Sequence, residues 1–237
     1  MTNTKADLIV FDLDGTLLDT LDDLAGAANH ALRQHNLPER SIDEIRSFVG
    51  NGTRLLIQRA VPDAMSAEDT EAVFAEFTRY YDVHLNDHTK PYDGIMETLA
   101  ELRAEGYRLG MLSNKPHPAV LDLADLYFKG QFVYLAGEKP GVPRKPNPTS
   151  LVNMMAEADV SPERTVYIGD SEPDAMTVTG AGTLGIGVLW GFRSREELAA
   201  AGMKHFVTEP SEIPELCREL LAGSPSERTS ERGGNTP

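Results

Sequence analysis

Four short polar motifs carry side chains suited to nucleophilic and acid–base chemistry on an anion. In chain order they are Asp12-Leu13-Asp14-Gly15-Thr16, Ser113-Asn114-Lys115, Lys145-Pro146-Asn147-Pro148 and Gly169-Asp170-Ser171-Glu172-Pro173-Asp174. The first and last motifs supply carboxylates, whereas the middle two supply hydroxyl, amide and ammonium groups. Together they offer a nucleophile, a proton donor and positive charge for an anionic substrate.

The carboxylates predict a metal ion if they meet at one place. Two carboxylates in contact repel by ~4 kcal/mol at an effective dielectric of 20, so Asp12, Asp14, Asp170 and Asp174 together require a counter-ion. The motifs contain no His or Cys, which favours an oxygen-seeking cation, Mg²⁺ rather than Zn²⁺. Since Mg²⁺ held by few carboxylates usually shares a substrate phosphate, the predicted ligand is a phosphorylated molecule.

Each remaining side chain has a predicted task on such a ligand. Asp12 would attack phosphorus and form an aspartyl-phosphate, and Asp14 would protonate the leaving group and then deprotonate water. Ser113 and Asn114 precede a predicted helix start, where free backbone N–H groups attract anions. Lys145 would hold the phosphate and temper the carboxylate charge. The reaction predicted from these residues is phosphoryl transfer.

The elements around the motifs alternate between buried strands and helices. Predicted strands are Leu8–Phe11, Tyr107–Leu112, Gln131–Ala136, Thr165–Ile168 and Leu184–Leu189. Predicted helices are Gly94–Glu105, Pro116–Leu126, Thr149–Ala158, Pro173–Ala181, Arg195–Ala201 and Ser211–Ala222. This alternation predicts an α/β fold with a parallel sheet. Three motifs directly follow predicted strands and the Lys145 motif lies in the loop after a fourth, so all reach the carboxyl edge of the sheet, where such folds bind ligands.

A helical block interrupts this alternation between Thr20 and His88. Thr20-x-x-Asp23 and Ser66-x-x-Asp69 provide capping signals for two of its helices. We predict a core over 1–18 and 91–222, a helical cap over 19–90 and a disordered tail over 223–237. The alternative is that the block forms additional cover for the sheet.

Charge and composition limit the classes of partner. Twenty-two Lys and Arg against 37 Asp and Glu give a net charge of −15, which disfavours nucleic acid and anionic membranes. The single cysteine, Cys217, excludes an internal disulfide and lies in an apolar helical stripe, as a buried structural thiol would. Without an apolar run of ~20 residues or a secretory leader, the expected location is cytoplasmic. A small phosphorylated metabolite is the expected partner of a monomer or homodimer.

The order of the four motifs resembles the haloacid dehalogenase superfamily, and within it the phosphoglycolate phosphatase-like branch. The matching segments are Asp12-x-Asp14-Gly15-Thr16-Leu17, Ser113-Asn114-Lys115-Pro116, Lys145-Pro146 and Gly169-Asp170-Ser171-x-x-Asp174. The resemblance implies a Rossmann-like core with an α-helical cap inserted after the first strand. It also implies that Asp12 accepts the phosphoryl group, that Asp14 is the acid/base, and that Ser113 and Lys145 bind the group. The implied Mg²⁺ ligands are Asp12, the Asp14 main chain, Asp170 and, directly or through water, Asp174.

The resemblance also narrows the chemistry. Dehalogenases of the superfamily lack an aspartate at the position of Asp14, and phosphonatases use a cap lysine that is missing between Lys5 and Lys90. Arg54, in the segment Gly50–Arg54 that resembles the cap loop of phosphoglycolate phosphatases, would grip a small carboxylate. Further predicted substrate contacts are Thr16, Asn114 and Lys115.

A phosphatase of small phosphomonoesters, with 2-phosphoglycolate first among them, is therefore the leading prediction. The alternatives are a β-phosphoglucomutase, a pyrophosphatase and a non-catalytic acidic binding protein that retains the fold.

Overall fold

A six-stranded parallel sheet organises the molecule. The computed structural model describes residues 7–223 of the 237-residue chain. In chain order its strands are β1 (Leu8–Phe11), β2 (Leu18–Asp19), β3 (Lys90–Pro91), β4 (Arg108–Pro116), β5 (Tyr134–Glu138), β6 (Thr165–Gly169), β7 (Leu184–Val188) and β8 (His205–Val207). The sheet has the order β5-β4-β1-β6-β7-β8 with every pair parallel. The predicted α/β class with a Rossmann-like parallel core is confirmed.

Helices cover both faces of the sheet. In the described range they are α1 (Leu21–Gln34), α2 (Ile42–Phe48), α3 (Thr53–Ala60), α4 (Ala67–His84), α5 (Ile95–Ala104), α6 (His117–Tyr127), α7 (Thr149–Ala158), α8 (Glu172–Ala181), α9 (Arg195–Ala200) and α10 (Ile213–Ala222). Apolar residues of α5, α6 and α10 share one core cluster, and those of α7, α8 and α9 share another. The six helices predicted beyond residue 90 are all present.

Strand β1 shows why a continuous apolar run indicates a central strand. All four of its residues are fully buried. Ile9 and Phe11 pack into the cluster on one face, while Leu8 and Val10 pack into the cluster on the other. Because alternate side chains point to opposite faces, a strand covered on both sides has no position for a polar residue until it ends at Asp12.

Helices α1 to α4 form a separate apolar cluster between β2 and β3. The two short strands pair antiparallel, with Leu18 opposite Pro91 and Asp19 opposite Lys90. The segment that leads into the helical block therefore lies beside the segment that leads out of it. Both features support the core-and-cap division at 19–90, which stays a prediction.

One of the two capping signals is correct and the other is wrong. The Ser66 hydroxyl accepts the Asp69 N–H at 3.0 Å and caps α4 as predicted. At α1, the Thr20 hydroxyl makes no cap bond and is buried without a partner. The Asp23 carboxylate instead accepts the backbone N–H groups of His88 and Thr89, at 2.8 to 3.1 Å, because the pairing of β2 and β3 places that segment beside the first turn of α1.

Three further expectations concern the ends and environment of the chain. The predicted tail over 223–237 lies outside the described residues apart from Gly223. Within residues 7–223, none of the helices combines the length and apolarity needed to cross a bilayer. Cys217 is fully buried, and burial raises the pKa of its thiol to about 12, so the structural reading of this residue is confirmed.

Candidate active site

The four polar motifs converge at the carboxyl edge of the sheet. Asp12 follows β1, Ser113 lies near the end of β4 and Asp170 follows β6, and these three strands are neighbours. Lys145, from the loop between β5 and α7, places its Nζ 2.8 Å from Oδ1 of Asp12. None of the four residues exposes more than 6% of its surface. The parallel topology therefore assembles in space what the sequence keeps more than 150 residues apart.

Three buried carboxylates face one another in this site. Asp12, Asp170 and Asp174 each offer an oxygen, and these oxygens lie within 4.8 Å of one another. Burial and then repulsion from Asp174 raise the pKa of Asp12 well above its ordinary value, and the same causes raise the pKa of Asp170 to about 7. A single ammonium, Lys145, opposes both shifts. The surplus of negative charge and the all-oxygen donor set fit a hard divalent cation.

The raised pKa of Asp170 predicts a pH-dependent stability when no metal is bound. Its folded pKa lies above the unfolded value, so its contribution is complete below about pH 4 and is lost as the pH rises through about 7, by at most about 1.4 kcal/mol per pH unit. Urea unfolding in EDTA across this range should show the loss in the native chain relative to Asp170→Asn. Parallel pH profiles for the two proteins would contradict the prediction.

Asp170 is held in one orientation by two donors. The Thr16 hydroxyl donates to Oδ1 at 2.9 Å, and the backbone N–H of Phe192 donates to Oδ2 at 2.8 Å. Thr16 is fully buried, and its predicted contact with substrate stays a prediction. Its hydroxyl is occupied by Asp170 because the turn after β1 packs directly against the end of β6.

Asp174 has both carboxylate oxygens engaged. Oδ1 accepts from Lys145 Nζ at 2.7 Å and from the Tyr167 hydroxyl at 2.9 Å. Oδ2 accepts the backbone N–H groups of Asp170 and Ser171 at 3.2 and 3.0 Å, and the Ser171 hydroxyl at 2.5 Å. Asp174 therefore holds Lys145 and the first turn of α8 in place. The sequence predicts that Asp174 contacts a cation either directly or through water. Contact through water would leave these hydrogen bonds intact.

Asp14 is paired with a lysine and, beyond it, with a tyrosine from the helical block. Lys115 Nζ lies 2.7 Å from Oδ1 of Asp14 and 2.8 Å from the hydroxyl of Tyr81 on α4. Burial alone lowers the pKa of Lys115, yet Asp14 and Tyr81 together outweigh burial, and the pKa rises above its usual range. Sequence analysis missed Tyr81. The signal was its place at the end of the buried α4 stripe that begins with Val73 and Phe77.

Ser113 and Asn114 support the site from the end of β4. The Ser113 hydroxyl accepts the N–H of Lys115 at 3.1 Å and keeps its own proton for another partner. The Asn114 amide nitrogen donates to the carbonyls of Gly50 at 3.1 Å and Lys145 at 3.0 Å, while its oxygen is buried without a partner. Asn114 therefore links the helical block to the loop that carries Lys145. Both bonds use the amide N–H donors of Asn114, which the sequence analysis assigns to a bound phosphate.

A small cavity between the core and the helical block lies over these groups. Its volume is about 30 Å³. The core side is lined by Asp12, Asp14, Ser113, Asn114, Lys115 and Lys145, and the helical block contributes Leu24, Val49, Gly50, Gly52, Thr53 and Leu56. Such a volume holds about two water molecules, so we expect the helical block to move away from the core before an organic phosphate enters.

Arg54, which the sequence predicts to contact substrate, lies outside this cavity. Its guanidinium is ion-paired with Glu71 and stacks over the Phe74 ring at 4.1 Å, on the outer side of the helical block. Both partners are on α4, and Arg54 lines a different cavity with them. The sequence could not specify which neighbour would hold this arginine.

Replacing Arg54 by glutamine is expected to leave turnover and KM nearly unchanged. The side chain is about half exposed and makes a surface ion pair, which contributes less than about 1 kcal/mol to stability. Lys115→Gln serves as the matched comparison, because it removes the buried cation that does line the cavity. Steady-state kinetics on the same substrate check both, and a KM that rises in Arg54→Gln and not in Lys115→Gln would contradict this assignment.

Comparison with known proteins identifies the family. The family model described as haloacid dehalogenase-like hydrolase matches residues 9–188, which is most of the chain. The chain belongs to the haloacid dehalogenase-like hydrolases. The membership confirms the family that the four motifs predict, and it covers β1 to β7 together with the helical block.

Within the haloacid dehalogenase-like hydrolases, the chain is similar to phosphoglycolate phosphatases. It is 34% identical over 227 residues to the phosphoglycolate phosphatase of Caulobacter vibrioides, covering 93% of this chain and 94% of that protein. With the Pseudomonas putida enzyme of the same name it shares 31% over 221 residues, covering 91% and 79%. The crystal structure of a candidate phosphoglycolate phosphatase from Lactobacillus delbrueckii subsp. bulgaricus is also similar, with a TM-score of 0.85, 31% identity and coverage of 90% and 99%.

Proposed function

We propose that this chain is a Mg²⁺-dependent phosphatase of small phosphomonoesters, acting through an aspartyl-phosphate, with 2-phosphoglycolate as the leading substrate. Its class, a phosphoric monoester hydrolase, agrees with its family and its relatives. The observation that carries the proposal is the Asp12 carboxylate at the wall of this cavity, 2.8 Å from the Lys145 ammonium. A carboxylate beside a fixed cation is arranged to meet a phosphoryl group, whose oxygens the cation attracts.

The cation would be held by the carboxylates of Asp12 and Asp170 and by the carbonyl oxygen of Asp14. Asp170 is already oriented by Thr16 and Phe192, which leaves its outer lone pairs available. When bound, Mg²⁺ neutralises the clustered carboxylates and the charge on the phosphoryl oxygens.

The reaction then divides into two displacements at phosphorus. A carboxylate oxygen of Asp12 attacks phosphorus, the bond from phosphorus to the leaving oxygen breaks, and Asp14 delivers a proton to that oxygen. Water next attacks the aspartyl-phosphate and gives its proton to Asp14, which releases inorganic phosphate and restores the Asp12 carboxylate. Lys145 and the Ser113 hydroxyl stabilise the phosphoryl oxygens in both steps.

The cavity supports a small, acidic substrate. Lys115 is the second buried ammonium at the cavity wall, and it lies on the Asp14 side, where the leaving group would depart. A carboxylate on the leaving group would accept from this lysine and from the Tyr81 hydroxyl. The pKa of Tyr81 is raised to about 12, chiefly by burial, so its proton stays available as a donor. Glycolate carries such a carboxylate two carbons from the phosphate, whereas a hexose has no group of that charge.

Phosphate release from a substrate panel tests the proposal. The panel contains 2-phosphoglycolate, β-glucose 1-phosphate, pyrophosphate and common sugar phosphates, each with Mg²⁺ and with EDTA. We expect Mg²⁺-dependent release that is fastest from 2-phosphoglycolate. Faster release from pyrophosphate, or conversion of β-glucose 1-phosphate without release, would replace the proposed substrate. Folded, metal-binding protein with no turnover of any compound would overturn the enzymatic role.

A further inference from the structure

A short segment after β7, Trp190–Arg193, joins the helical block to the aspartate site. None of the four motifs includes it, yet its residues contact the turn after β1, the carboxylate after β6 and the C-terminal end of α2. The segment therefore has hydrogen-bond partners both in the core and in the helical block.

Arg193 binds the end of α2 through three of its N–H groups. Its Nε donates to the Glu172 carboxylate at 2.8 Å, and its terminal nitrogens donate to the carbonyls of Arg46, Ser47 and Val49 at 3.0, 3.2 and 2.8 Å. The remaining N–H points to the carbonyl of Phe192, 3.4 Å away. A guanidinium has five N–H groups, so all of them are used. The residue is only 7% exposed.

The carbonyls that Arg193 binds are among those that a helix cannot satisfy within itself. The last four carbonyls of α2 have no intrahelical donor, and a cation there also complements the helix dipole. Val49 is the residue after α2, and Gly50 and Gly52, which follow it, line the cavity. Arg193 therefore positions the loop that closes the cavity.

Phe192, the residue before Arg193, is attached to the aspartate site. Its N–H donates to Oδ2 of Asp170 at 2.8 Å, while its ring is buried in the apolar cluster of the helical block. A Cβ at Gly191 would come within 2.5 Å of both Oδ2 of Asp170 and the carbonyl of Gly15. The backbone thus lies directly on the carboxylate, and a displacement of the segment would move the donor that orients it.

We propose that Arg193 is a positioning residue that couples closure of the helical block to the orientation of Asp170. A divalent cation at the aspartates then favours the closed form, and closure tightens cation binding by the same factor, because coupling between two sites is reciprocal. The inference rests on the proposed function in one respect, namely that Asp12 and Asp170 bind a divalent cation.

The single tryptophan offers a direct probe of this segment. Trp190 donates its indole N–H to the carbonyl of Thr16 at 3.1 Å and lies against the Tyr92 ring. We would titrate the full chain with Mg²⁺ and no substrate, following Trp190 fluorescence. In Arg193→Gln the dissociation constant should rise about tenfold, within the range usual for coupled sites. Arg195→Gln is the matched control, because this exposed arginine stacks on Phe206 in the core; its constant should equal that of the native chain.

Hydrogen exchange provides a second test, which does not rely on fluorescence. Mg²⁺ should slow exchange of the backbone amides at 48–53, and this protection should be lost in Arg193→Gln. Native protein that binds Mg²⁺ without protecting 48–53, or folded Arg193→Gln that binds Mg²⁺ as tightly as the native chain, would overturn the coupling and leave the proposed function standing. Failure of the native chain to bind Mg²⁺ would overturn both.

Discussion

Asp12→Asn is expected to lower the rate of phosphate release by at least about 10⁴-fold and to raise the melting temperature of the metal-free protein. An amide oxygen is too weak a nucleophile to form the phosphoryl intermediate, and loss of a nucleophile exceeds the effects of acid–base removal. Stability is expected to increase although activity is lost, because burial and Asp174 hold the pKa of the Asp12 carboxylate far above its ordinary value. Removing that charge relieves about 1–2 kcal/mol, or about 2–8 °C.

The measurement pairs single-turnover phosphate release with thermal unfolding in EDTA. Asp122→Asn is the matched control, since it makes the same chemical change at an exposed position on α6. It should alter neither the rate nor the melting temperature. If Asp12→Asn kept measurable turnover, another residue would have to be the acceptor, and if it lowered the melting temperature, the description of Asp12 as an electrostatically unfavourable carboxylate would be incorrect.

Lys145→Met is expected to abolish activity and to destabilise the fold by about 3–5 kcal/mol, the usual cost of removing one partner of a buried charged pair. The Lys145 ammonium donates to Asp174 at 2.7 Å, to the Tyr167 hydroxyl at 2.9 Å and to the Leu112 carbonyl at 3.0 Å, in addition to its contact with Asp12. Methionine fills a similar volume and leaves these acceptors without their common donor. The buried carboxylates would then have no protein cation near them.

Denaturant unfolding with and without Mg²⁺ checks this second prediction. Mg²⁺ should restore part of the lost stability of Lys145→Met, because it supplies positive charge to the same carboxylates. In the Asp12→Asn background the cost of Lys145→Met should be smaller, since one unpaired carboxylate fewer remains. Lys139→Met, at an exposed lysine after β5, is the control. An equal loss of stability at positions 139 and 145 would refute the buried charge cluster.

The two variants distinguish catalytic charge from structural charge in one cluster. Asp12 destabilises the fold and is proposed to carry the chemistry, whereas Lys145 stabilises the fold and holds the groups that Asp12 needs. Opposite shifts in melting temperature with a shared loss of activity would be difficult to produce from a merely structural site. This pattern is also the one expected where function is retained at a cost in stability.

The sequence alone determined the sheet and the residues at its carboxyl edge. The run Leu8–Phe11 is apolar without a break, which is typical of a strand covered on both faces. Asp12 and Asp170 follow strands that the pattern marks clearly, and consecutive parallel strands end at one edge. Their convergence with Lys145 was therefore predictable from the order of elements, before any distance was known. The short strand β8 was missed because three residues at a sheet edge give little periodic signal.

Only the tertiary structure decided which polar groups face the cavity. Arg54 and Lys115 were both predicted to contact substrate. Arg54 contacts Glu71 and Phe74 on α4 and does not line the cavity. Lys115 lines the cavity and is buried between Asp14 and Tyr81. The direction of a long side chain depends on the partner that packing brings to it, and that partner lies 17 residues away for Arg54 and 101 for Lys115. Local spacing contains no information about partners so distant.

Distance along the chain also explains why the sequence indicates the motif residues but not the residues that hydrogen-bond to them. The sequence predicted Thr16 as a substrate contact and Thr20 as a helix cap, but the first hydroxyl is taken by Asp170 and the second is buried without a bond. The sequence does not indicate a role for Arg193, since an isolated arginine in a loop is usually solvated. Strand ends are fixed by local pattern and topology, so the sequence determined where the proposed catalytic groups lie. Hydrogen-bond partners across the cavity depend on how the core and the helical block pack together, and only the tertiary structure decides that packing.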